Sequence, residues 1–222
     1  MVEIPLILRL KKESHKEIAR AQDIIIEELY KVFDKAVLHG GTGIWRCYHG
    51  NRFSEDIDVY IPKDLARLEN LFHEFEKRGF IIEKKKITEN SLYSSLNLNG
   101  VAVRFEALFK KESGLLNNYE TAEGGLVVVY SLSSEGFIEE KVDAYLKRLK
   151  IRDLYDIFFL LRYSDSKKIE KYLLKLIRNF KNPTDKEDLK VLILEGVVPE
   201  TGKMLDYIKN YIKWENKNIK SK

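Results

Sequence analysis

One cysteine in 222 residues, Cys47, excludes an intramolecular disulfide and a zinc site built from several thiolates. No apolar run approaches the roughly 20 residues that a membrane-spanning helix needs, so no membrane partner is expected. The apolar start, Met1 to Leu10, runs into Arg9-Leu10-Lys11-Lys12 without a small-residue cleavage site, so it does not read as a signal peptide. No internal repeat or low-complexity segment interrupts the chain. A cytoplasmic protein is the expectation. Neither charge sign dominates: 39 Lys and Arg against 35 Asp and Glu leave a net charge of +4. That mild basicity is compatible with a nucleic-acid partner and does not by itself establish one.

What is present is a soluble, globular composition, 44% hydrophobic and 33% charged, long enough for one domain or two small ones. The chemistry concentrates between Val37 and Pro62. Val37-Leu38-His39-Gly40-Gly41-Thr42 reads as a short apolar strand entering a Gly-Gly-Thr turn. Paired glycines let backbone N–H groups converge on an anion, and a helix expected to begin at Thr42 adds the partial positive charge of its N-terminus. Downstream, Ile57, Val59 and Ile61 alternate with Asp56, Asp58 and Tyr60. This predicts a strand whose polar face carries both aspartates, roughly 7 Å apart. Two such carboxylates repel unless a cation lies between them, and oxygen-only ligands suit Mg²⁺ or Mn²⁺. Taken singly, a Gly-Gly-Thr turn is a common turn and an Asp-x-Asp strand is usually a solvated face. Their order, a phosphate cradle followed by a carboxylate pair, is what metal-dependent nucleotidyl transfer requires.

The combination resembles the DNA polymerase β superfamily of nucleotidyltransferases, with a spacer from Gly41 to Asp56 slightly longer than the usual pattern. The fuller string Gly40-Gly41-Thr42 … Arg52-Phe53-Ser54-Glu55-Asp56-Ile57-Asp58 resembles one branch, the AbiEii/AbiGii toxin-type nucleotidyltransferases. A second element of that branch, a Lys and then Arg-x-Lys-x-Arg-Asp-x-x-Asp leading into an apolar helix, is matched by Lys141, Arg148, Lys150, Arg152, Asp153 and Asp156. Lys141 can meet a triphosphate as a point charge, and Asp153 and Asp156, at i and i+3, can hold Lys141 or an arginine in place. The competing reading is a salt-bridge ladder on a helix surface. Superfamily members carry a third carboxylate on a neighbouring strand. Glu106, in Phe105-Glu106-Ala107, is the candidate, against a plain surface glutamate paired with a lysine.

Around these motifs the chain reads as α+β. Ser14 and Glu17 predict a capping box for a helix with Ile18, Ala21, Ile25, Leu29 and Val32 on one face and a solvated His15 near its start. Pro62-Lys63-Asp64 opens a second helix with a Leu65, Leu68, Leu71, Phe72, Phe75 stripe, and Gly79 stops it. Phe80-Ile81-Ile82 starts a strand ending in Lys84-Lys85-Lys86, and Asn99-Gly100 predicts a hairpin between strands over Ser91 to Leu108. Leu115 to Gly125 reads as turn-rich, Leu126 to Tyr130 as a strand, and Ser131 to Gly136 as a loop at a domain boundary. From Phe137 the pattern is helical. It includes a basic amphipathic helix with Lys171, Lys175 and Arg178 opposite Leu173, Leu174 and Ile177. A capping box at Thr184 and Glu187, a stop at Gly196, a last helix after Pro199 and a frayed end over 217–222 complete the reading.

The resemblance, which covers Val37 to Leu161, implies a nucleotidyltransferase fold: a mixed β-sheet flanked by helices over 1–135, then a helical part over 136–222 that closes the cleft. It implies transfer of a nucleoside monophosphate from an NTP to an acceptor hydroxyl. Asp56, Asp58 and Glu106 would hold Mg²⁺ or Mn²⁺; Gly40, Gly41, Thr42, Arg52 and Ser54 would bind the nucleotide with Lys141, Asp153 and Asp156. Toxin members of the branch resemble tRNA nucleotidyltransferases that block the acceptor end, usually beside an antitoxin, so tRNA or another RNA and a cognate antitoxin are the expected partners. Three readings follow: an enzyme acting on RNA, an enzyme acting on a small molecule or protein hydroxyl, and a nucleotide-binding module without catalysis. The full carboxylate set argues against the third, and the basic excess favours the first over the second.

Overall fold

The computed structural model describes the backbone of residues 4–219 and the side chains of residues 4–212. The end expected to fray, 217–222, lies outside the described side chains. The chain divides into two compact units, Met1–Leu132 and Ser133–Lys222; the expected boundary after 135 falls inside the first turn of the second unit's opening helix.

The first unit begins with a short α1 (Leu6–Arg9) and a long α2 (Glu13–Val32). Ile18, Ala21, Ile25, Leu29 and Val32 of α2 are all buried, as their spacing predicts. The expected capping box is absent: α2 starts at Glu13, one residue before Ser14, and Lys12 occupies the cap without a side-chain hydrogen bond. Then follow β1 (Val37–His39), α3 (Gly40–Cys47), β2 (Ile57–Ile61), α4 (Leu65–Lys77), β3 (Ile81–Ile87), β4 (Ser91–Leu98), β5 (Val101–Phe109), β6 (Leu115–Glu120) and β7 (Leu126–Ser131). The strands form one mixed sheet in the order β3-β4-β5-β2-β1-β7-β6. β2 runs antiparallel to β1 but parallel to β5, and β1 is parallel to β7.

Local chemistry explains most boundaries. Asp64 caps α4 by accepting a hydrogen bond from the Arg67 backbone, and Gly79 follows with φ of 92°. Leu68, Leu71, Phe72 and Phe75 are buried, whereas Leu65 is exposed. Asn99 and Gly100 both take positive φ, the geometry of a two-residue hairpin turn matching strand twist. β6 replaces part of the expected turn-rich stretch. Its Leu115, Leu116 and Asn118 are exposed, so its edge position hides the alternation that marks a strand.

The sheet is packed on one face of its β3-β4-β5 part. Leu92, Ser94 and Leu96 of β4 and Val103, Phe105 and Ala107 of β5 are buried. Phe75 of α4 meets the Phe105 ring edge-on at 5.7 Å, which places α4 on that face. On the opposite face Ala102, Arg104 and Leu108 are exposed, and Tyr93, Ser95 and Glu106 are half-buried.

The second unit is helical: α5 (Ser134–Arg148), α6 (Ile151–Leu160), a 3₁₀ turn (Leu161–Tyr163), α7 (Ser166–Arg178), α8 (Asp188–Leu192) and α9 (Thr201–Ile219). Ser133 caps α5 through the Gly136 N–H, and Leu149 ends it in a left-handed conformation. On α7, Ile169, Leu173 and Leu176 are buried, while Leu174 and Ile177 are only half-buried. The capping box predicted at Thr184 does not form. α8 begins four residues later, and the Thr184 N–H donates instead to the Leu149 carbonyl at 3.0 Å. No helix among the described residues is long and apolar enough to cross a membrane.

Candidate active site

Close approach of backbone to side chain is the first property of the glycine turn. α3 begins at Gly40, two residues earlier than the sequence suggests, with φ of 70° at Gly40. A Cβ placed on Gly40 would lie 2.0 Å from Asp58 Oδ2, and one on Gly41 would lie 2.5 Å from Ser54 Oγ and 2.6 Å from Arg52 Nη2. Each glycine therefore makes room for a different part of the downstream motif. Thr42 is fully buried, and its hydroxyl donates to the Asp56 carbonyl. Its side chain fixes the approach to β2, leaving the backbone as its route to a phosphate. Arg52 is also buried and donates from Nη1 to the Phe53 carbonyl at 2.9 Å. From α2, the Gln22 amide donates to the Ser54 carbonyl at 2.9 Å. The segment between α3 and β2 is thus tied at Arg52, Ser54 and Asp56.

α3 itself is anchored by Arg46, which is fully buried between the Trp45 and Tyr119 rings, 4.7 Å from each centroid. Arg46 donates to the Tyr119 hydroxyl at 3.0 Å, to the Ala19 carbonyl at 3.0 Å, and to the Asp23 carboxylate. Burial pushes the Asp23 carboxyl above its usual range, with the Arg46 guanidinium opposing the shift. His15 is not the solvated ring expected: it stacks on Phe53 at 3.8 Å. Burial lowers its pKa, as does the nearby Lys12.

The carboxylates meet through strand register. β2 and β5 are neighbours, and Asp58 lies directly opposite Glu106, as Ile57 lies opposite Phe105. His39, which precedes α3, lies opposite Asp58 on its other side and stacks on Tyr60 at 4.0 Å. Tyr93 lies opposite Glu106 on β4. One row thus crosses the open face of the sheet: His39, Asp58, Glu106, Tyr93. Asp56 differs from expectation in standing one residue before β2. Its two oxygens accept from Arg104 Nε and Nη2, both at 2.6 Å. The Glu106 carboxyl is pushed above its usual range by burial, then by Asp58 and Asp56, with Arg104 and His39 opposing.

This donor set suits a hard divalent cation in its chemistry, because it is all oxygen and its like charges raise Glu106 together. Asp58 and Glu106 face each other across the β2–β5 ladder. Asp56 is engaged with Arg104, and among the described residues no three ligands are gathered closely enough to hold a metal as they stand. Sequence reasoning missed Arg104. The signal was available, since Arg104 sits two residues before Glu106 on an alternating strand and so shares its face.

Lys141, Asp153 and Asp156 form a second cluster, within the helical unit. Lys141 Nζ lies 3.0 Å from Asp156 Oδ2 and 3.6 Å from Asp153 Oδ1. Arg148 grips Asp153 with two hydrogen bonds of 2.7 Å. Lys141, Asp153 and Asp156 are all buried, so this is not a ladder on a helix surface. Other cations of the predicted basic stretches are also matched: Lys150 faces Asp185 at 3.5 Å, and Lys175 faces Asp143 at 2.8 Å.

The glycine contact gives a direct test. Gly40→Ala meets both the left-handed backbone, a cost of about 1–2 kcal/mol for an L-residue, and Asp58 itself. Gly196→Ala meets a similar φ of 81° with nothing within 4 Å. Denaturant unfolding is expected to show a larger loss for Gly40→Ala, accompanied by loss of catalysis that Gly196→Ala does not share. Equal losses in the two variants would mean that the Asp58 contact is inconsequential.

Residues 25–195 match the family described as nucleotidyl transferase AbiEii toxin, type IV toxin–antitoxin system. No curated protein gives a significant match. Among solved structures, JHP933 from Helicobacter pylori is 21% identical, with a TM-score of 0.64, covering 96% of this chain and 97% of its own. MenT4, the nucleotidyltransferase toxin Rv2826c from Mycobacterium tuberculosis H37Rv, is 16% identical, with a TM-score of 0.64, covering 93% and 86%. At these identities the likeness is one of fold, and it agrees with the mixed sheet and flanking helices described above. With the family profile matching most of its length, the chain belongs to the AbiEii family of nucleotidyltransferase toxins.

Proposed function

We propose that this protein transfers a nucleoside monophosphate from an NTP to the 3′ hydroxyl of an RNA, tRNA being the first candidate, with release of pyrophosphate and dependence on Mg²⁺ or Mn²⁺. The observation that carries the reading is the register of Asp58 against Glu106, with Gly40 backbone in contact with the same Asp58. In this reading Gly40, Gly41 and the start of α3 receive phosphate oxygens through backbone N–H groups. Asp58 and Glu106 hold the cation, and Asp56 joins them by giving up Arg104. The chemistry a divalent ion held by these residues would supply is Lewis-acid activation of the acceptor hydroxyl and neutralisation of the triphosphate. Lys141, oriented by Asp156 and Asp153, is assigned to the triphosphate, and Ser54 and Arg52 keep the glycine turn in shape. The family makes a cognate antitoxin the expected partner in the cell.

Incubation with each labelled NTP, total tRNA and Mg²⁺, followed by sequencing of 3′ ends, is expected to show added nucleotides on RNA. Binding of the RNA should weaken steeply with salt, with a log–log slope near −0.7 for each single-strand phosphate neutralised. Label recovered on a small molecule or on protein, with no slope of this kind, selects the second acceptor class instead.

A further inference from the structure

We infer that the open face of the β3-β4-β5 part of the sheet is the path of the acceptor's single-stranded 3′ end, with phosphates against Lys84 and Lys86 and a base on Tyr93; this rests on the RNA reading above. The carboxylate row is the starting point, because Tyr93 is the cross-strand neighbour of Glu106 and Lys86 is the cross-strand neighbour of Tyr93. Lys84 stands opposite Ser95 on the same face, two residues along β3. Adjacent strands are about 4.8 Å apart, so an acceptor strand lying across this face reaches Glu106 within a few strand widths.

The Lys84-Lys85-Lys86 triplet is divided between the two faces of the sheet. Lys85 points to the packed side, where it binds Glu69 at 2.8 Å and lies over the Phe72 ring at 4.3 Å. Lys84 and Lys86 are exposed on the other side, and among the described residues neither makes an ion pair. Two exposed lysines on this sheet face are complementary to phosphates. Lys84 Nζ lies over the Tyr93 ring, 5.1 Å from its centroid, so a base that stacks there takes the place of the ammonium, which turns to the adjoining phosphate. That pairing is how sheet surfaces hold single strands without reading their sequence. Glu83, which precedes the triplet, accepts from Ser95 and Asn97 at 2.9 Å each and keeps its charge near Lys84, so Lys86, directly across from Tyr93, is the stronger phosphate contact of the two. The basic stretches of the helical unit are weaker candidates, since Arg148, Lys150 and Lys175 already face carboxylates.

The test uses the full chain and two probes: the tRNA that the wild type labels, and a single-stranded oligonucleotide matching its 3′ end. Tyr93→Ala is expected to raise the RNA KM roughly 5- to 150-fold, the equivalent of one lost base stack, and Tyr93→Phe to restore it. The Lys84→Gln/Lys86→Gln pair should flatten the salt slope of oligonucleotide binding by about 0.7 per lysine, with the NTP KM unchanged. Both lysines are exposed, so this pair also guards against a folding defect in Tyr93→Ala. Unchanged RNA KM and salt slope in all variants, with RNA still labelled, would overturn the path while leaving the RNA reading intact. A wild type that labels no RNA overturns both.

Discussion

Lys141→Ala is expected to destabilise the helical unit by about 3–5 kcal/mol, because it removes a buried cation from between two buried carboxylates. Asp156 loses a partner at 3.0 Å, and Asp153 keeps only Arg148. Such a loss is far beyond that of a surface lysine contributing a single phosphate contact. The remedy distinguishes structure from chemistry. Replacing both members with apolar residues, Lys141→Met with Asp156→Leu, removes the uncompensated charge and is expected to recover most of the stability. If Lys141 also acts on the triphosphate, the double variant folds yet remains poor in transfer. Recovery of full activity along with stability would confine Lys141 to a structural role, and thermal unfolding beside NTP kinetics separates the outcomes.

Asp58→Asn should do the reverse, removing function while sparing the fold. Loss of a charged ligand that supports several kcal/mol of transition-state stabilisation corresponds to a fall in kcat on the order of 10³-fold or more. In the absence of metal, the variant should melt at the wild-type temperature or slightly above it, because Asp58 faces Glu106 directly and two like charges oppose each other there. The Glu106 carboxyl should also titrate lower in the variant, since Asp58 is, after burial, the largest contributor to its raised value. A marked loss of melting temperature without metal would identify Asp58 as part of the framework. NMR titration of the Glu106 side chain checks the electrostatic part independently.

How far the sequence carries depends on the range of the interaction involved. The stripe of α2, the Asp64 cap, the Asn99-Gly100 turn and the alternation of β5 are local patterns, and each element formed where its residues placed it. The capping boxes failed for a different reason. Ser14 and Thr184 have the right neighbours in sequence, but tertiary contacts move the helix starts to Glu13 and Asp188. The carboxylate set was legible as residue types. Its arrangement was expected only through the superfamily resemblance, because the pairing of β2 with β5 joins segments far apart in sequence, and periodicity carries no information about which strands become neighbours. Arg104 shows the limit most clearly. Nothing in its own stretch of sequence marks it as a partner of Asp56, yet it holds both oxygens of that carboxylate. Lys141 was recognised by its motif, while its burial depends on the packing of α5 and α6, which no motif records.

The antiparallel pairing of β1 with β2 has a consequence for how this site tolerates change. His39, at the threshold of the glycine turn, is hydrogen-bond register partner to Asp58, so the two halves of the site are held by a ladder between adjacent strands. The chain that joins them folds back onto the turn, with Thr42 on the Asp56 carbonyl and Gly41 against Ser54 and Arg52. From Arg52 onward it is tied down, and Gly50 donates back to the Ile44 and Trp45 carbonyls, closing off α3. Between these anchors lies Asn51 alone, and just before them the exposed His49 takes φ of 52°. Extra length is best accommodated at His49, the exposed residue of this turn, because Gly50 and Arg52 on either side of Asn51 are buried. Because the β1–β2 ladder sets the separation of the glycine turn and Asp58, spacer length by itself is a weak criterion for such a site.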